Sequence, residues 1–214
     1  MQVNRNEEYI KELIKKASDI AIVCSPKGLD SLASGIAFSK YIEEEFSHPS
    51  SVIYTGSTET FPDELIQIHK VDSSFGDQVL KMTLDYNGTT IESVNYYTKE
   101  DESKLVLEVR PIERNFDLGR IKYDFVGTSY DLIITIGVDR LESLADLYYK
   151  NEADFKKADV INIDNSHNNS NFGKINIVDT SADSLSAMLF KKFSDWNYMP
   201  SKVASKSLLI GLSN

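Results

Sequence analysis

The stretch "VINIDNSHNNSNFG", which runs from Val160 to Gly173, decides how the fold is interpreted. An apolar run ends at Asp164, and a histidine and several amide side chains follow at once. A short apolar run bounded by polar residues predicts a buried strand. In open α/β sheets, ligand sites form beyond the carboxyl ends of the strands. The stretch therefore predicts a strand that delivers polar side chains to a metal or phosphate site.

Apolar strands and amphipathic helices alternate on both sides of this stretch. Strands are predicted at 19–25, 51–56, 131–138 and 159–164, and helices at 7–17, 29–46, 139–151, 181–193 and from 201 onward. Continuous apolar strands separated by helices are typical of a parallel sheet that is covered on both faces. The fold class is therefore predicted to be α/β, with a parallel β-sheet and helices on both faces.

The middle of the chain follows a different pattern. From about residue 78 to residue 110, β-rich runs succeed one another without helical periodicity. Asn87-Gly88 lies between two of these runs and predicts a two-residue hairpin, because both turn positions favour positive φ. A polar turn, "KEDESK" at 99–104, leads into the next run. We expect a small antiparallel β insertion at 76–128, between the two parts of the α/β domain at 1–75 and 129–214.

Composition narrows the class of protein. The 214 residues include 23 basic and 33 acidic ones, and a net charge of −10 disfavours general binding to nucleic acid phosphates. The single cysteine, Cys24, excludes an intramolecular disulfide and fits a reducing interior. No apolar run approaches the roughly 20 residues of a membrane span, and the charged N-terminus is unlike a signal peptide. We expect a cytoplasmic protein with no membrane partner.

The loops after three of the predicted strands together resemble the DHH phosphoesterase superfamily, in its nanoRNase and pAp-phosphatase-like branch. "CSPKGLDSLAS" (24–34) lies on the frame of the family's first loop, His-x-x-Pro-Asp-Gly-Asp-Ala-Ile-Gly-Ser. "DNSHNNSNFGKINIVD" (164–179) resembles the Asp-His-His motif and the segment that follows it, and "SLLIGLSN" (207–214) resembles a late Leu-x-x-Gly-Ile-x-x-Asp-Thr segment. The resemblance implies a DHH-type α/β domain. The smaller substrate-binding domain that usually follows in the family is expected to be lacking here.

The resemblance also implies a mechanism, which this sequence does not support. The family hydrolyses phosphate esters with two divalent ions, usually manganese, held by aspartates and histidines. The family's ligand positions fall here on Cys24, Gly28, Gly137, Asn165, Ser166 and Asn214, while Asp30 and Asp164 keep their identities. We therefore expect no cofactor. If activity is retained, the resemblance implies manganese or magnesium, with Asp30, Asp164, His167 and Asp139 as metal ligands.

Each of these residues also has a structural explanation. Asp30 is a natural N-cap for the helix that begins near it, and Asp139 for the following helix. Asp164 would order the Asn-rich loop through Asx turns. The sequence leaves both this role and that of a metal ligand open for Asp164. For His167 an ordinary loop position is favoured. Cys24 is interpreted as a small buried hydrophobe.

Three functions follow from these alternatives. In the first, the chain is a catalytically inactive domain that serves as an interaction or structural module, with another protein as partner. The replacement of most metal-ligand positions and the acidic surface favour this function. In the second, the domain binds a nucleotide or short oligonucleotide without hydrolysis, and backbone amides at a helix start hold a phosphate. The candidate residues for that role are Ser25, Lys27, Gly28, Ser31, Asn165, Ser166, His167 and Asn171. In the third, residual metal-dependent phosphoesterase activity persists.

Overall fold

The computed structural model of the chain describes residues 2–76, 79–88, 90–112, 117–126 and 129–213. These residues form two compact units. The larger unit contains the described residues up to 76 and from 129 onward, and the smaller one contains those in between.

The larger unit is built on a six-stranded parallel sheet. In sheet order the strands are β10 (Ile175–Val178), β9 (Asp159–Asp164), β8 (Leu132–Ile136), β1 (Ile20–Cys24), β2 (Ser51–Ile53) and β3 (Val71–Asp72). Every side chain of β1 and β8 is buried, which explains their uninterrupted apolar sequences. The chain moves outward from β1 to β3 on one side and from β8 to β10 on the other. The strand order therefore reverses between β1 and β8, where open α/β sheets leave a crevice for a ligand.

Helices cover both faces of this sheet. One face is covered by α1 (Gln2–Lys16), α2 (Leu29–Phe46), α6 (Leu185–Asp195) and α7 (Lys202–Leu212). The other is covered by the shorter α4 (Asp146–Lys150) and α5 (Glu152–Lys157), while the one-turn α3 (Asp63–Ile66) connects β2 to β3. Alternate residues of β1 point to opposite faces of the sheet. Ile22 packs on the side of α2, and Val23 packs on the side of α4 and α5. The prediction of an α/β fold with a parallel sheet covered on both faces is confirmed.

The predicted continuous helix at 139–151 is wrong. The segment forms a 3-10 helix at Leu141–Leu144 and then α4, and α5 follows beyond it. Ala145 adopts a positive φ of 49°, which an α-helix does not accommodate, and so separates the first two pieces. Asn151 leaves helical geometry, with φ of −122° and ψ of 24°, and its side-chain Nδ2 donates to the Leu147 carbonyl oxygen at 2.7 Å at the end of α4. Among the described helices, none combines the length and apolar character that crossing a membrane requires.

The smaller unit consists of antiparallel strands. β4 (Val79–Leu84) pairs with β7 (Ile121–Val126), and β5 (Ile91–Lys99) pairs with β6 (Lys104–Pro111). An antiparallel β insertion is therefore confirmed as part of the fold. The predicted hairpin at Asn87-Gly88 is wrong, although Gly88 has the expected positive φ of 95°. The strands on either side of it have other partners, because β5 pairs across the polar turn at 99–104 and β4 pairs with the distant β7.

Candidate functional site

The loops after β1, β8 and β9 meet beyond the carboxyl ends of these adjacent strands and line a pocket of about 330 Å³. The lining residues are Ser25, Lys27, Gly28, Asp30, Ser31, Gly137, Asp139, Asp164, Asn165, Ser166 and Leu185. The pocket lies where the strand order reverses. Six of the eight residues proposed from the sequence for phosphate binding are therefore brought together, and His167 and Asn171 are not among the lining residues.

His167 and Asn171 belong to the exposed part of the Asn-rich loop. The backbone N–H of Asn171 donates to Oδ1 of Asn169 at 2.8 Å, and its carbonyl accepts from Nδ2 of Asn176 at 3.2 Å. Asn171 also has a positive φ of 53°. The loop contributes only Asn165 and Ser166 to the pocket, and its other residues form hydrogen-bonded turns beside it.

Asp30 stabilises a helix other than its own. Gly28 is the N-cap of α2, and Asp30 is the second residue of that helix. Its Oδ2 accepts from the backbone N–H of Leu185 at 2.7 Å, and Oδ1 accepts from the N–H of Ser186 at 3.0 Å and from its hydroxyl at 2.5 Å. The prediction that Asp30 caps α2 is wrong: it satisfies the first N–H groups of α6. Those groups have no partner within their helix, and a negative charge is favourable at a helix start.

Asp164 is buried and held by the loop that follows it. Its Oδ1 accepts from the N–H of Asn165 at 2.9 Å, and Oδ2 accepts from Nδ2 of Asn169 at 2.6 Å. The same amide of Asn169 donates to the Val138 carbonyl at 3.2 Å, and its Oδ1 accepts from Nδ2 of the buried Asn162 at 2.9 Å. The sequence analysis missed Asn162 and Asn169. The available signal was an amide side chain inside an otherwise apolar strand, which requires a buried partner.

Asp139 binds the start of the 3-10 helix and a nearby cation. Its Oδ1 accepts from the Ser143 hydroxyl at 2.5 Å and from the Arg140 N–H at 3.0 Å, and it lies 3.7 Å from Nζ of Lys27. The hydrogen bond from Ser143, followed by the charge of Lys27, holds the pKa of Asp139 below its ordinary value. Asp139 is therefore an ionised carboxylate that already has partners.

Gly137 and Leu185 determine the shape of the pocket wall. Gly137 has a positive φ of 71°, and a Cβ built on it would lie 2.6 Å from Cδ1 of Leu185 and 3.4 Å from Cβ of Ser31. The Leu185 side chain thus fills the space that any side chain at position 137 would need. At Gly28 the situation is the opposite, because a Cβ there would meet nothing within 4 Å.

These residues do not fit a centre of two divalent ions. Asp30, Asp139 and Asp164 each accept hydrogen bonds from protein donors. In the part of the chain that the structure describes, no group of three or more His, Cys, Asp or Glu side chains could hold a metal ion. Cys24 is fully buried, and burial raises the pKa of its thiol, which agrees with its interpretation as a small hydrophobe. The late ligand position, Asn214, lies outside the described residues.

The pocket does retain donors that suit an anion. Ser25 lines the pocket and is 4% exposed, and its hydroxyl can donate a hydrogen bond. Lys27 brings a cation to the same pocket, and no side chain caps the start of α2. The first N–H groups of α2 are therefore available to an anion. Ser31 is not available in the same way, because its hydroxyl donates to the carbonyl oxygens of Ser25 and Gly28.

The chain matches no protein-family model and no curated protein. Among solved structures it is similar to an exopolyphosphatase-related protein from Bacteroides fragilis, with a TM-score of 0.62 and 14% sequence identity. The similarity covers 98% of this chain and 49% of that chain, so this chain spans about half the length of its structural neighbour. At this level of identity the similarity shows the fold alone: an α/β fold shared with the exopolyphosphatase-related protein.

Proposed function

We propose that this chain is a cytoplasmic, DHH-type phosphoesterase-like domain that does not hydrolyse phosphate esters and acts as an interaction or structural module. The observation that carries the proposal is at Gly137, where the Leu185 methyl fills the space that a metal-binding carboxylate would need. The assignment to the DHH type is supported by the order of the three motifs. It is also supported by the fold shared with an exopolyphosphatase-related protein.

The bonding of the remaining carboxylates supports the loss of hydrolysis. A carboxylate has about four acceptor positions, and Asp30 uses three of them for Leu185 and Ser186. One acceptor position therefore remains, and a divalent ion that needed a second one at Asp30 would displace a donor from Leu185 or Ser186. Asp164 has a comparable arrangement, with one oxygen bound to Asn165 and the other to Asn169.

Hydrolysis assays on the purified chain test this proposal. The substrates are pAp, a dinucleotide and inorganic polyphosphate, each with manganese and with magnesium. We expect no product above the buffer blank, and no stoichiometric manganese binding by calorimetry. Turnover that is lost in a folded Asp139→Asn or Asp164→Asn variant would overturn the proposal and establish residual metal-dependent phosphoesterase activity. Turnover that both variants retain would come from a contaminating enzyme and would leave the chain inactive.

A second function is favoured by the hydrogen-bond donors that line the pocket: binding of a nucleotide or short oligonucleotide without hydrolysis. The Ser25 hydroxyl, the Lys27 ammonium and the first turn of α2 surround the same space. Hydrogen bonds to a phosphate from charged donors and from a helix start do not require a metal.

Calorimetric titration with pAp in the presence of a chelator tests the second function. Lys27→Ala is expected to weaken binding about tenfold, the effect of losing one charge-assisted hydrogen bond. Lys157→Ala is the matched control, because Lys157 is an exposed lysine that does not line the pocket. Equal effects of the two substitutions would show non-specific attraction, and no binding to the wild-type chain would leave the module role alone.

A further inference from the structure

The hairpin formed by β5 and β6 has one apolar and one polar face. Directly opposed residues of an antiparallel pair share a face, and the faces alternate along each strand. The strand register therefore places three cross-strand pairs on one face, here called the hairpin face: Val94 with Val109, Tyr96 with Leu107, and Thr98 with Leu105. On the opposite face Tyr97 donates a hydrogen bond to Glu108 at 3.2 Å, and Asn95 and Arg110 lie alongside.

Five of the six residues of the hairpin face are exposed, and Val109 is half-buried. Tyr96 is 77% exposed, Leu105 63%, Val94 60% and Leu107 42%. A two-stranded hairpin is at best marginally stable in water unless an apolar face is packed against another element. A contiguous exposed apolar patch on a folded protein is typical of an interaction site. We therefore expect a partner to cover this face.

Charge indicates which partner fits. The whole chain has a net charge of −10, so two copies repel each other over most of their surface. The six positions of the hairpin face carry no charge. The ion pairs around it contribute both signs, with Lys99 and Lys104 beside Glu102, and Arg110 beside Glu92. A two-fold contact brings the same patch of each copy together. A neutral patch with a rim of mixed charge is complementary to itself, whereas a basic partner would favour the acidic remainder of the surface.

We propose that two copies of this chain associate through the hairpin face, with Tyr96 and Leu107 as the central pair. The inference rests on the interaction role proposed above and names a second copy as the partner. It does not depend on what the pocket binds. With six residues from each copy, the contact lies at or below the lower limit of about 1,000 Å² for a specific protein interface, in the range of weak, transient complexes. We therefore expect a dimer that dissociates in the micromolar range.

Sedimentation equilibrium on the full chain, from about 1 to 500 μM, tests the association. The wild-type chain is expected to shift from monomer to dimer across this range. Tyr96→Lys is expected to weaken the dimer at least about thirtyfold, the effect of losing a central interface residue. Tyr97→Lys is the matched control, since it changes the same residue type at the adjacent position on the opposite face. Thr98→Lys is a milder second variant on the hairpin face and is expected to weaken the dimer as well.

A wild-type chain that stays monomeric up to 500 μM, the upper end of the range tested, would overturn the inference. Equal weakening by Tyr96→Lys and Tyr97→Lys would also overturn it. Circular dichroism and thermal unfolding of each variant distinguish loss of the dimer from loss of the fold. None of the substituted residues lines the pocket, so hydrolysis and pAp binding by these variants test the proposed function separately.

Discussion

The Cδ1 methyl of Leu185 lies 2.6 Å from the position that a Cβ on Gly137 would occupy. The backbone N–H of the same leucine donates to Asp30 at 2.7 Å. Leu185 therefore joins two features of the pocket: the side chain fills the space beside the end of β8, and the amide holds the carboxylate of α2. Any side chain introduced at position 137 must displace the Leu185 methyl, which belongs to the same residue whose backbone N–H is bound by Asp30.

Gly137→Ala is expected to lower the free energy of unfolding by about 2–5 kcal/mol. Positive φ costs an L-residue about 1–2 kcal/mol, and overpacking against Leu185 adds about 1–3 kcal/mol. Urea denaturation followed by circular dichroism measures the change. The double variant Gly137→Ala/Leu185→Ala should lose less stability than the two single variants lose in sum, because the leucine methyl no longer collides with the new Cβ.

Gly28→Ala is the control for this substitution. The backbone at Gly28 is extended, with φ of 170°, and a Cβ there meets nothing within 4 Å. We expect a change of less than about 1 kcal/mol, the range for replacing an N-cap glycine by alanine. Equal destabilisation by Gly28→Ala and Gly137→Ala would contradict the role assigned to Leu185.

Asp30→Ala is expected to lower the free energy of unfolding by about 1–3 kcal/mol, because the N–H groups of Leu185 and Ser186 lose their acceptors. Asp183→Ala is the matched control: this aspartate is exposed and lies just before α6. A substitution at such a surface site changes stability by about 0.5 kcal/mol or less. If Asp30 were only a metal ligand without its metal, its removal would relieve repulsion from the other carboxylates of the pocket. The variant would then be at least as stable as the wild type.

The sequence was sufficient to predict the sheet but not the bonding of the pocket. Strands such as β1 and β8 are buried on both faces, so their apolar runs are visible without any tertiary information. The partner of Asp30 is not visible in this way. A carboxylate in a first helical turn has the same local sequence whether it serves its own helix or α6, and the structure brings together residues 155 positions apart. The proximity of the Leu185 methyl to the Cβ position of residue 137 depends on tertiary packing in the same way.

Asn169→Ala is expected to destabilise the fold by about 3 kcal/mol, because buried polar groups that lose their partners cost about 1–3 kcal/mol each. Asn169 binds Asp164, Asn162 and the Val138 carbonyl through one side chain. Chemical denaturation measures the loss. Asn168→Ala is the control, because Asn168 is the exposed neighbour in the same loop. Equal stabilities of the two variants would mean that the amide network contributes nothing to the fold.

Strand pairing in the smaller unit shows a second limit of local sequence. Asn87-Gly88 satisfies every local requirement of a hairpin turn, and Gly88 does adopt positive φ. The partner of β4 is nevertheless β7, which lies far along the chain, and β5 pairs instead across the turn that follows it. Turn residues indicate where the backbone can reverse. Which strands then pair depends on contacts that are distant in sequence.

His69 is expected to make the stability of the fold depend on pH below neutrality. It lines a separate polar pocket of about 510 Å³ with His48, Lys40 and Glu43. Burial, and then the charge of Lys40, hold the pKa of His69 below its ordinary value of 6.5, against smaller opposing effects that include a hydrogen bond with the Ser50 backbone. Below pH 6.5 the unfolded chain therefore binds a proton at His69 more readily than the folded chain does. The contribution to stability is complete above pH 6.5 and is lost as the pH falls through the folded pKa.

The comparison of the wild-type chain with His69→Asn isolates this contribution. Unfolding free energies of both proteins are measured by urea denaturation at intervals between about pH 7.5 and pH 5, the range in which histidine titrates. The titrating groups that do not interact with His69 cancel in the difference between the two curves, and the charge coupling of His69 to Glu43 is part of the measured contribution. We expect the wild-type stability to fall more steeply than that of the variant, with the difference developing below pH 6.5. Parallel curves would show that the folded and unfolded chains protonate His69 equally, and that burial in this pocket does not disfavour the imidazolium.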